Sequence, residues 1–331
     1  MTRARLFRRT LYGVLAVAVA AAGLLLTQEA TALSSRADVK PASYRSPAYN
    51  APMLNVKVAS VTFNVAAGQA AYINSSLKFG NATTRILVDN QVECFNNKGT
   101  SVRKLLRSQN VYAAGNGALS TVALTTRFLL PTATAASFRC DLSLWTRSLG
   151  DAGRVGLMSG FVEVAGKYAG TTQAATTGRS LVTKSAPVWA PAVKGSASVP
   201  KTTGLWQAPG GATSLSVFGD AQLTTCYGKD KAPCPVTAND KKGSLVRTTL
   251  VATQFKKDGS VCKTSTVSSD VRIPQYVHHQ PVYLHNPKVP VLTGSGCLPV
   301  FSVYLKHQLL ADHPYYVHGS SDDAVVSVIP V

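Results

Sequence analysis

The stretch that decides the fold runs from Arg85 to Cys94 and reads RILVDNQVEC. In a β-strand, alternate side chains point to the same face of the sheet. One face of this stretch is nearly all apolar and carries Ile86, Val88, Asn90, Val92 and Cys94. The pattern predicts a strand with one face in a hydrophobic core, and it places the cysteine on that face.

A second stretch, from Ser137 to Leu144, reads SFRCDLSL and has the same alternation. Its apolar face carries Phe138, Cys140, Leu142 and Leu144. Two strands therefore each place a cysteine toward a core. We expect a disulfide bond between Cys94 and Cys140, buried inside a β-sandwich.

Alternating stretches separated by turn residues continue along most of the chain. They form two groups, residues 56–167 and residues 213–331, and the intervening residues 168–212 are rich in Thr, Ala, Gly and Pro. Residues 33–55 have no apolar period, which predicts a flexible arm. We therefore expect an all-β protein with two tandem, disulfide-stabilised β-sandwich domains of immunoglobulin-like architecture, joined by a linker.

The first 32 residues have the layout of a secretory signal peptide. A basic start, MTRARLFRRT, precedes sixteen uncharged residues from Leu11 to Leu26, fewer than the roughly 20 that a membrane-spanning helix needs. Ala30-Thr31-Ala32 fits a signal-peptidase site with cleavage after Ala32. We expect a secreted, extracellular protein with no stable membrane span, while Arg8-Arg9 leaves open whether export uses the general or the twin-arginine route.

The cysteines support export, because all of them lie after the signal peptide. They are Cys94, Cys140, Cys226, Cys234, Cys262 and Cys297. An even number of cysteines in an oxidising compartment predicts three disulfide bonds. The last four cysteines allow three pairings. Pairing 226 with 262 and pairing 226 with 234 are both compatible with the strand pattern, so this connectivity stays open.

The exported part is strongly basic. After removal of the signal peptide it holds 30 basic and 14 acidic residues, a formal charge of +16. Such a charge favours contact with anionic polymers or surfaces, although an even spread over the surface for solubility is the alternative. We expect an anionic cell-wall polymer or a carbohydrate as the ligand, a protein partner as the alternative, and no specific nucleic acid.

The histidines are concentrated near the C-terminus. All six lie between His278 and His318, interleaved with tyrosines. Imidazoles are common ligands of zinc and copper, so the candidate ligand or metal patch consists of His279, Tyr283, His285, His313 and His318. The spacing matches no compact metal motif, and His307 is in phase with apolar residues, which favours a core histidine.

Two tryptophans lie in the segment between the predicted domains. Trp189 occurs in PVWAP and Trp206 in GLWQAPGG. An indole in such a setting can stack on a sugar ring, so both are candidate stacking residues. The alternative is that they pin an extended segment onto the neighbouring domain.

The sequence carries no recognisable catalytic constellation. Glycoside hydrolysis usually uses two facing carboxyl groups, and the exported part has only two glutamates, Glu93 and Glu163. Ser295, in TGSGC, lacks the spacing of a nucleophile elbow. We therefore assign no catalytic residue and no cofactor.

The predicted function is non-catalytic: a binding or structural protein of the bacterial cell surface or extracellular medium. Two alternatives remain. One is a secreted metal-dependent or hydrolytic enzyme that uses the His/Tyr-rich C-terminal region. The other is a partner-binding subunit of a secreted assembly. In composition and signal form the chain resembles exported proteins of high-GC Gram-positive bacteria.

Overall fold

The computed structural model describes residues 35–114, 119–175, 180–182, 188–189, 205–225, 243–274, 279–318 and 324–331, with only the backbone of 180–182 and 188–189. The predicted signal peptide, Cys226, Cys234 and the side chain of Trp189 lie outside this part. Within it the regular structure is entirely β-strand. No helix with the length and hydropathy of a membrane span occurs among the described residues.

The described strands number twenty. They are β1 (Arg36–Val39), β2 (Ala42–Ser46), β3 (Leu54–Val65), β4 (Gln69–Gly80), β5 (Ile86–Asn96), β6 (Ser101–Val111), β7 (Val122–Pro131), β8 (Ala136–Ser148), β9 (Gly153–Ala169), β10 (Thr172–Ala175), β11 (Ser180–Val182), β12 (Val188–Trp189), β13 (Trp206–Gln207), β14 (Ser214–Thr225), β15 (Ser244–Lys256), β16 (Val261–Ile273), β17 (Gln280–Pro290), β18 (Cys297–Asp312), β19 (Tyr315–His318) and β20 (Val325–Pro330).

These strands form four antiparallel sheets. Sheet A has the order β1-β9-β4-β7, with β2 also paired to β9, and sheet B has the order β3-β8-β5-β6. Sheet C has the order β10-β20-β14-β19-β11, with β17 on the other side of β14. Sheet D has the order β12-β18-β15-β16, with β13 also paired to β18.

Two hydrophobic cores group the sheets in pairs. Sheets A and B enclose one core, which includes Ile73, Phe128 and Leu142. Sheets C and D enclose another, which includes Leu223 and Leu305. The described part of the chain is thus all-β, as the strand alternation predicts, and its division into two domains stays a prediction. We refer to sheets A and B as the first sandwich and to sheets C and D as the second.

The Cys94–Cys140 disulfide is present, and both cysteines are fully buried. The two residues lie directly opposite each other on β5 and β8, with Cα atoms 4.0 Å apart. The bond therefore joins neighbouring strands of one sheet, whereas the conserved bond of an antibody domain bridges its two sheets. The alternation of side chains places each cysteine on the core side, but it does not say which strands are neighbours.

A second disulfide joins Cys262 to Cys297. These residues lie at the starts of β16 and β18, the two strands that flank β15. Among the pairings that the sequence left open, the structure therefore shows 262 with 297. Sequence reasoning could not decide it, because the choice depends on which strand ends meet.

The segment predicted as a flexible arm is ordered from Arg36 to Ser46. It forms β1 and β2, which pair with β9. The expectation of a flexible arm was wrong for these residues. Their stabilisation comes from backbone hydrogen bonds to β9 and from apolar contact with the first core, in which Val39 is buried and against which Tyr44 packs. Strands of four or five residues are too short to show an apolar period.

The segment predicted as a linker also carries strands, β10 to β13. They extend sheets C and D: Thr172 lies opposite Val328, for example, and Trp206 opposite Phe301. Such short edge strands are held by backbone pairing, which leaves little trace in the sequence. The described residues from 35 onward belong to one compact unit, and the domain boundaries proposed above stay predictions.

The two sandwiches meet through an apolar cluster, in which Leu129 of β7 packs with Phe218 of β14, and through a polar contact beside it. The outer face of β14 carries Phe218, Asp220, Gln222 and Thr224, all buried. Asp220 Oδ1 accepts a hydrogen bond of 2.8 Å from Arg107 Nε of β6, and the backbone N–H of Ser108 donates to Gln222 Oε1 at 2.7 Å. Val325 of β20 packs into the core of the first sandwich. The edge of the first sandwich is thus covered by a sheet face of the second.

Candidate functional site

The outer face of sheet D forms an open groove of about 450 Å³. Its inner face packs on sheet C, so the outward side chains of its three long strands are left facing the groove. The central strand, β15, forms the floor with Thr249, Val251, Thr253 and Phe255. We call this feature the sheet D groove.

The strand register sets the chemistry of the floor. Val251 lies between Thr266 of β16 and Tyr304 of β18, and Thr253 lies between Thr264 and Ser302. The groove is lined from β16 by Val261, Thr264 and Thr266, and from β18 by Ser302, Tyr304 and Lys306. Hydroxyl and apolar side chains therefore alternate along the floor, and both flanking strands add further hydroxyl groups.

The hydroxyl groups hold one another in position across the strands. The hydroxyls of Thr249 and Ser268 lie 2.8 Å apart, and those of Thr253 and Thr264 lie 3.3 Å apart. A hydroxyl has one donor and two acceptor sites, so each pair keeps hydrogen-bonding capacity for a ligand. The row is thus ordered before any ligand arrives.

Aromatic and charged side chains complete the groove. Tyr304 is half-buried, and burial raises the pKa of its phenol above the ordinary value, so the ring stays neutral. Phe255 is also half-buried, while Val261 is 55% exposed. Among the described residues that line the groove, Lys306 carries the charge. The lining therefore combines apolar rings, neutral hydroxyls and one positive charge.

The Cys262–Cys297 disulfide closes the Phe255 end of the groove. Phe255 is paired with Val261, directly before Cys262, and Lys256 is paired with Cys297. The bond thus fastens the two outer strands of the groove to each other at this end. It limits how far β16 and β18 can separate.

The histidines predicted as a ligand patch meet only in part. The rings of His279 and His318 have centres 4.8 Å apart, and both contact the hydroxyl of Thr224, at 3.2 Å and 2.7 Å. Gln222 Nε2 lies 3.1 Å from His279 Nδ1. Because Gln222 Oε1 accepts from the Ser108 backbone, its amide group donates to His279. These imidazoles belong to the polar contact between the sandwiches.

The other members of the predicted patch lie apart from this pair. Tyr283 lies under the Arg127 guanidinium, 3.8 Å from the ring centre, and packs on Phe218. His285 Nε2 contacts Ser216 Oγ at 2.8 Å, and burial with Arg127 nearby lowers the pKa of this imidazole. The backbone of His313 donates to Gly243.

No metal-binding cluster of three or more His, Cys, Asp or Glu residues occurs in the part of the chain that the structure describes. The structure brings the predicted patch residues together as two pairs, His279 with His318 and Tyr283 with His285, whose ring centres lie 6.2 Å apart. Metal binding by the C-terminal region stays a prediction. The predicted enzyme and assembly-subunit alternatives likewise remain predictions.

The tryptophans occupy the edge of sheet D. Trp206 packs on Phe301, with ring centres 6.3 Å apart, and contacts the second core. This contact matches the alternative in which the indole pins its segment to the sandwich. Trp189 is paired through its backbone with Lys306.

The two glutamates lie in different sheets. Glu93 of β5 lies opposite Asp141 and Lys104 in sheet B. Glu163 of β9 accepts hydrogen bonds from Arg36 at 3.0 Å and from Asn74 at 2.8 Å in sheet A. They do not form a facing pair.

Sequence reasoning named none of the residues that line the sheet D groove. A signal was present, because Thr249 and Thr253 alternate with buried residues on β15, and β16 carries the hydroxyl residues Thr264, Thr266 and Ser268 at a spacing of two. Alternating hydroxyls on one strand are common on any solvent-facing sheet. These hydroxyl residues become part of a groove only because β18 places Tyr304 and Lys306 beside them in the folded chain.

His307, the histidine that the sequence pattern places in a core, is fully buried on the inner face of β18. Its Nδ1 lies 3.0 Å from the Thr248 hydroxyl, and burial lowers its pKa to about 3. This placement agrees with the core role that its apolar phase indicates. His307 therefore stays neutral in the folded protein over the whole physiological range.

We predict that His307 makes stability depend on pH. Between pH 6.5 and 3 the unfolded chain binds a proton at this imidazole and the folded chain does not, so the free energy of unfolding falls as pH falls. The loss is up to about 1.4 kcal/mol per pH unit. Urea unfolding at pH 7, 5.5 and 4.5 should show a shallower dependence in His307→Asn than in the wild type. Equal slopes would contradict this prediction.

Comparisons with known proteins identify no function for this chain, so we argue its function from the residues described above. No family model matches the chain, and no curated protein matches it. Among solved structures it is similar to the CBM22-1–CBM22-2 tandem domain of Paenibacillus barcinonensis Xyn10C, at 12% identity over 88% of this chain and 93% of that one, with a TM-score of 0.24.

Two further solved structures are similar to the chain at comparably low identity and TM-score. A putative secreted protein from Parabacteroides distasonis is 8% identical over 89% of this chain and 88% of that one, with a TM-score of 0.21. A structure of infectious bursal disease virus is 11% identical over 90% and 78%, with a TM-score of 0.25. Likenesses at these values assign neither a family nor an activity to the chain.

Proposed function

We propose that this chain is a secreted, non-catalytic binding protein that holds a carbohydrate-bearing polymer in the sheet D groove. The observation that carries the proposal is the combination of Tyr304, Phe255 and paired hydroxyls in one open groove. A sugar ring has an apolar C–H face and a polar edge. An aromatic ring suits the first, and oriented hydroxyls suit the second.

The dimensions support a polymer rather than a single sugar as the ligand. From Thr249 to Phe255 the floor runs over seven residues of β15, about 20 Å at the rise of an antiparallel strand. This length accommodates several sugar rings in a row. The volume also lies within the range of about 300–1,000 Å³ that is usual for ligand sites.

The charge distribution favours polymers that carry negative groups. Lys306 lies opposite Thr249 in the groove, and the exported part of the chain has a formal charge of +16. Attraction between exposed charges weakens once salt shortens the screening length to about 8 Å at physiological ionic strength. Binding of an acidic polysaccharide should therefore weaken with added salt more than binding of a neutral one.

The lining chemistry supports a binding role rather than catalysis. The groove is lined by hydroxyls, aromatic rings, aliphatic side chains and one ammonium group. Glycoside hydrolysis needs a proton donor and a second carboxyl group across the bond that is cleaved. The described lining residues include no carboxyl group, and they supply an aromatic ring and hydroxyl groups that suit a sugar chain.

We predict that Tyr304→Ala weakens polysaccharide binding about tenfold or more, because removal of a partly buried ring forfeits about 1.5–3 kcal/mol of apolar contact. Tyr304→Phe should keep most of the affinity, since the ring remains. The measurement is retardation in native gels that contain hydroxyethyl cellulose, as a neutral polymer, or polygalacturonate, as an acidic one.

Tyr49→Ala is the matched control. Tyr49 is 60% exposed and lies beside Arg147 in the first sandwich, so its removal takes away an exposed tyrosine far from the groove residues in sequence and sheet. It should leave retardation unchanged. Wild-type protein that is retarded by neither polymer, or equal retardation of Tyr304→Ala and wild type, would overturn the proposal.

A further inference from the structure

Exposed aliphatic side chains are grouped at the end of the second sandwich where the sheet D groove meets a disulfide. Val261 is 55% exposed and Leu298 is 38% exposed. They are the residues next to Cys262 and Cys297, whose Cα atoms lie 5.7 Å apart. Grouped apolar side chains on a surface, unlike single ones, mark sites of interaction with a protein or a membrane. We call residues 255–263 and 292–298 the sheet D tip.

Basic side chains surround these aliphatic residues. The turn between β15 and β16 begins with Lys256-Lys257, and Lys263 lies near the start of β16. Lys257 and Lys263 are exposed. The turn also contains Asp258, whose carboxylate accepts hydrogen bonds of 2.9 and 2.7 Å from the backbone N–H and the hydroxyl of Ser260. With three lysines and one aspartate, the sheet D tip has a formal charge of +2.

The two segments of the sheet D tip are held together as one unit. The disulfide joins them covalently, and the backbone N–H of Lys257 donates to the Gly296 carbonyl at 3.1 Å. The buried side chain of Gln254 donates through Nε2 to the carbonyls of Leu292 and Leu298, at 2.6 and 2.7 Å. The lysines and the aliphatic side chains are therefore arranged before any contact forms, which lowers the cost of ordering on binding.

We propose that the sheet D tip docks this chain on the surface of a lipid bilayer with anionic head groups. Aliphatic side chains such as Val261 and Leu298 gain free energy when they enter the boundary between head groups and acyl chains. Lysines beside them bind the phosphates of the head groups. The formal charge of +16 on the exported part adds long-range attraction to such a surface. The contact is peripheral and involves no segment that crosses the bilayer.

The aliphatic residues favour a bilayer over a soluble anionic polymer as the partner. A hydrated polymer satisfies the lysines, but it offers little apolar surface to Val261 and Leu298. A bilayer satisfies both kinds of side chain, because its charged head groups lie directly above its acyl chains. The exposure of leucine and valine between lysines therefore identifies the partner as a lipid surface.

Vesicle sedimentation of the full exported chain tests the proposal. Vesicles that contain equal parts of phosphatidylglycerol and phosphatidylcholine should retain the protein, and vesicles of phosphatidylcholine alone should retain far less. Lys257→Gln/Lys263→Gln should weaken retention about tenfold or more, since each lysine contributes to attraction near an anionic surface. Leu298→Ser should weaken it about threefold, because aliphatic contact with the acyl chains is lost.

Two matched controls separate the sheet D tip from the rest of the surface. Lys40→Gln/Lys98→Gln removes two exposed lysines of the first sandwich and changes the total charge by the same amount. Leu119→Ser removes a leucine that is also 38% exposed and lies in the first sandwich. Both variants should be retained like the wild type.

Four results would overturn the proposal. The first is no retention on phosphatidylglycerol vesicles at low ionic strength, and the second is a loss in either tip variant no larger than in its control. The third is a loss in Lys257→Gln/Lys263→Gln with full retention of Leu298→Ser, which would assign the sheet D tip to an anionic polymer.

The fourth result concerns Tyr304→Ala, which removes a groove residue outside the sheet D tip. This variant should keep vesicle binding, so failure of the polysaccharide proposal would leave the vesicle result unchanged. Vesicle binding that is lost in Tyr304→Ala but kept in the tip variants would place the lipid contact in the sheet D groove and overturn docking through the tip.

Discussion

Asp220→Ala is expected to lower the free energy of unfolding by about 3–5 kcal/mol, the usual cost of removing one partner from a buried ion pair. The side chains of Arg107 and Asp220 are 0% and 1% exposed, and their Nε and Oδ1 atoms lie 2.8 Å apart. The substitution removes the carboxylate that neutralises a guanidinium buried between the two sandwiches. Water cannot take its place without opening the contact.

The state of Asp220 itself shows how costly this environment is for a charge. Burial raises the pKa of its carboxyl above the ordinary value, and the adjacent Arg107 acts in the opposite direction. Desolvation is the larger influence. Loss of either residue therefore leaves the other as a buried charge without its partner. This cost is larger than the net contribution of the intact pair to the stability of the protein.

Asp270→Ala is the matched control for this prediction. Arg247 makes two hydrogen bonds of 2.7 Å to Asp270, but the two side chains are 46% and 44% exposed. Water and salt screen such a pair, so the loss of stability should be far smaller. Urea unfolding of both variants at pH 7 gives the comparison. Similar losses would show that burial of the Arg107–Asp220 pair does not decide its contribution.

A double substitution separates the charge from the packing. Arg107→Met with Asp220→Leu removes both charges and retains apolar volume, so it should recover most of the stability that Asp220→Ala loses. A double variant as unstable as Asp220→Ala would indicate that the hydrogen-bond geometry of the pair, rather than the neutralisation of charge, holds the contact between the sandwiches.

The disulfide bonds should differ in what their removal affects. Their loops of 46 and 35 residues correspond to nearly equal unfolded-state entropy, about 4 kcal/mol each in the loop-closure model. Cys94→Ala/Cys140→Ala additionally loses contacts of two fully buried sulfur atoms. We therefore expect this variant to be the less stable of the two in urea unfolding.

Cys262→Ala/Cys297→Ala should instead reduce polysaccharide binding, because it releases β16 from β18 at the Phe255 end of the sheet D groove. Retardation by polygalacturonate should fall in this variant and stay near the wild-type value in Cys94→Ala/Cys140→Ala under conditions where both remain folded. The reverse order of binding losses would contradict the proposed position of the ligand.

Comparison of particular residues shows which structural features could be predicted from the sequence. The apolar phase of Cys94, Cys140 and His307 indicated correctly that all three face a core. The same reasoning failed for residues 36–46, because strands of four or five residues contribute only one or two apolar side chains each, such as Val39, which is too few to show a period. It also grouped His279 with His285, but His279 precedes β17, His285 lies within it, and the two contact different residues in the folded chain.

The sequence by itself determined the all-β class and the buried face of each long strand, because alternation is a local property with a period of two residues. The tertiary structure alone decided the lateral order of the strands, since pairing joins residues far apart in the chain. That order makes Cys94 and Cys140 direct neighbours, places Arg107 against Asp220, and brings Tyr304 beside the threonines of β15. The sheet D groove therefore exists only in the folded protein.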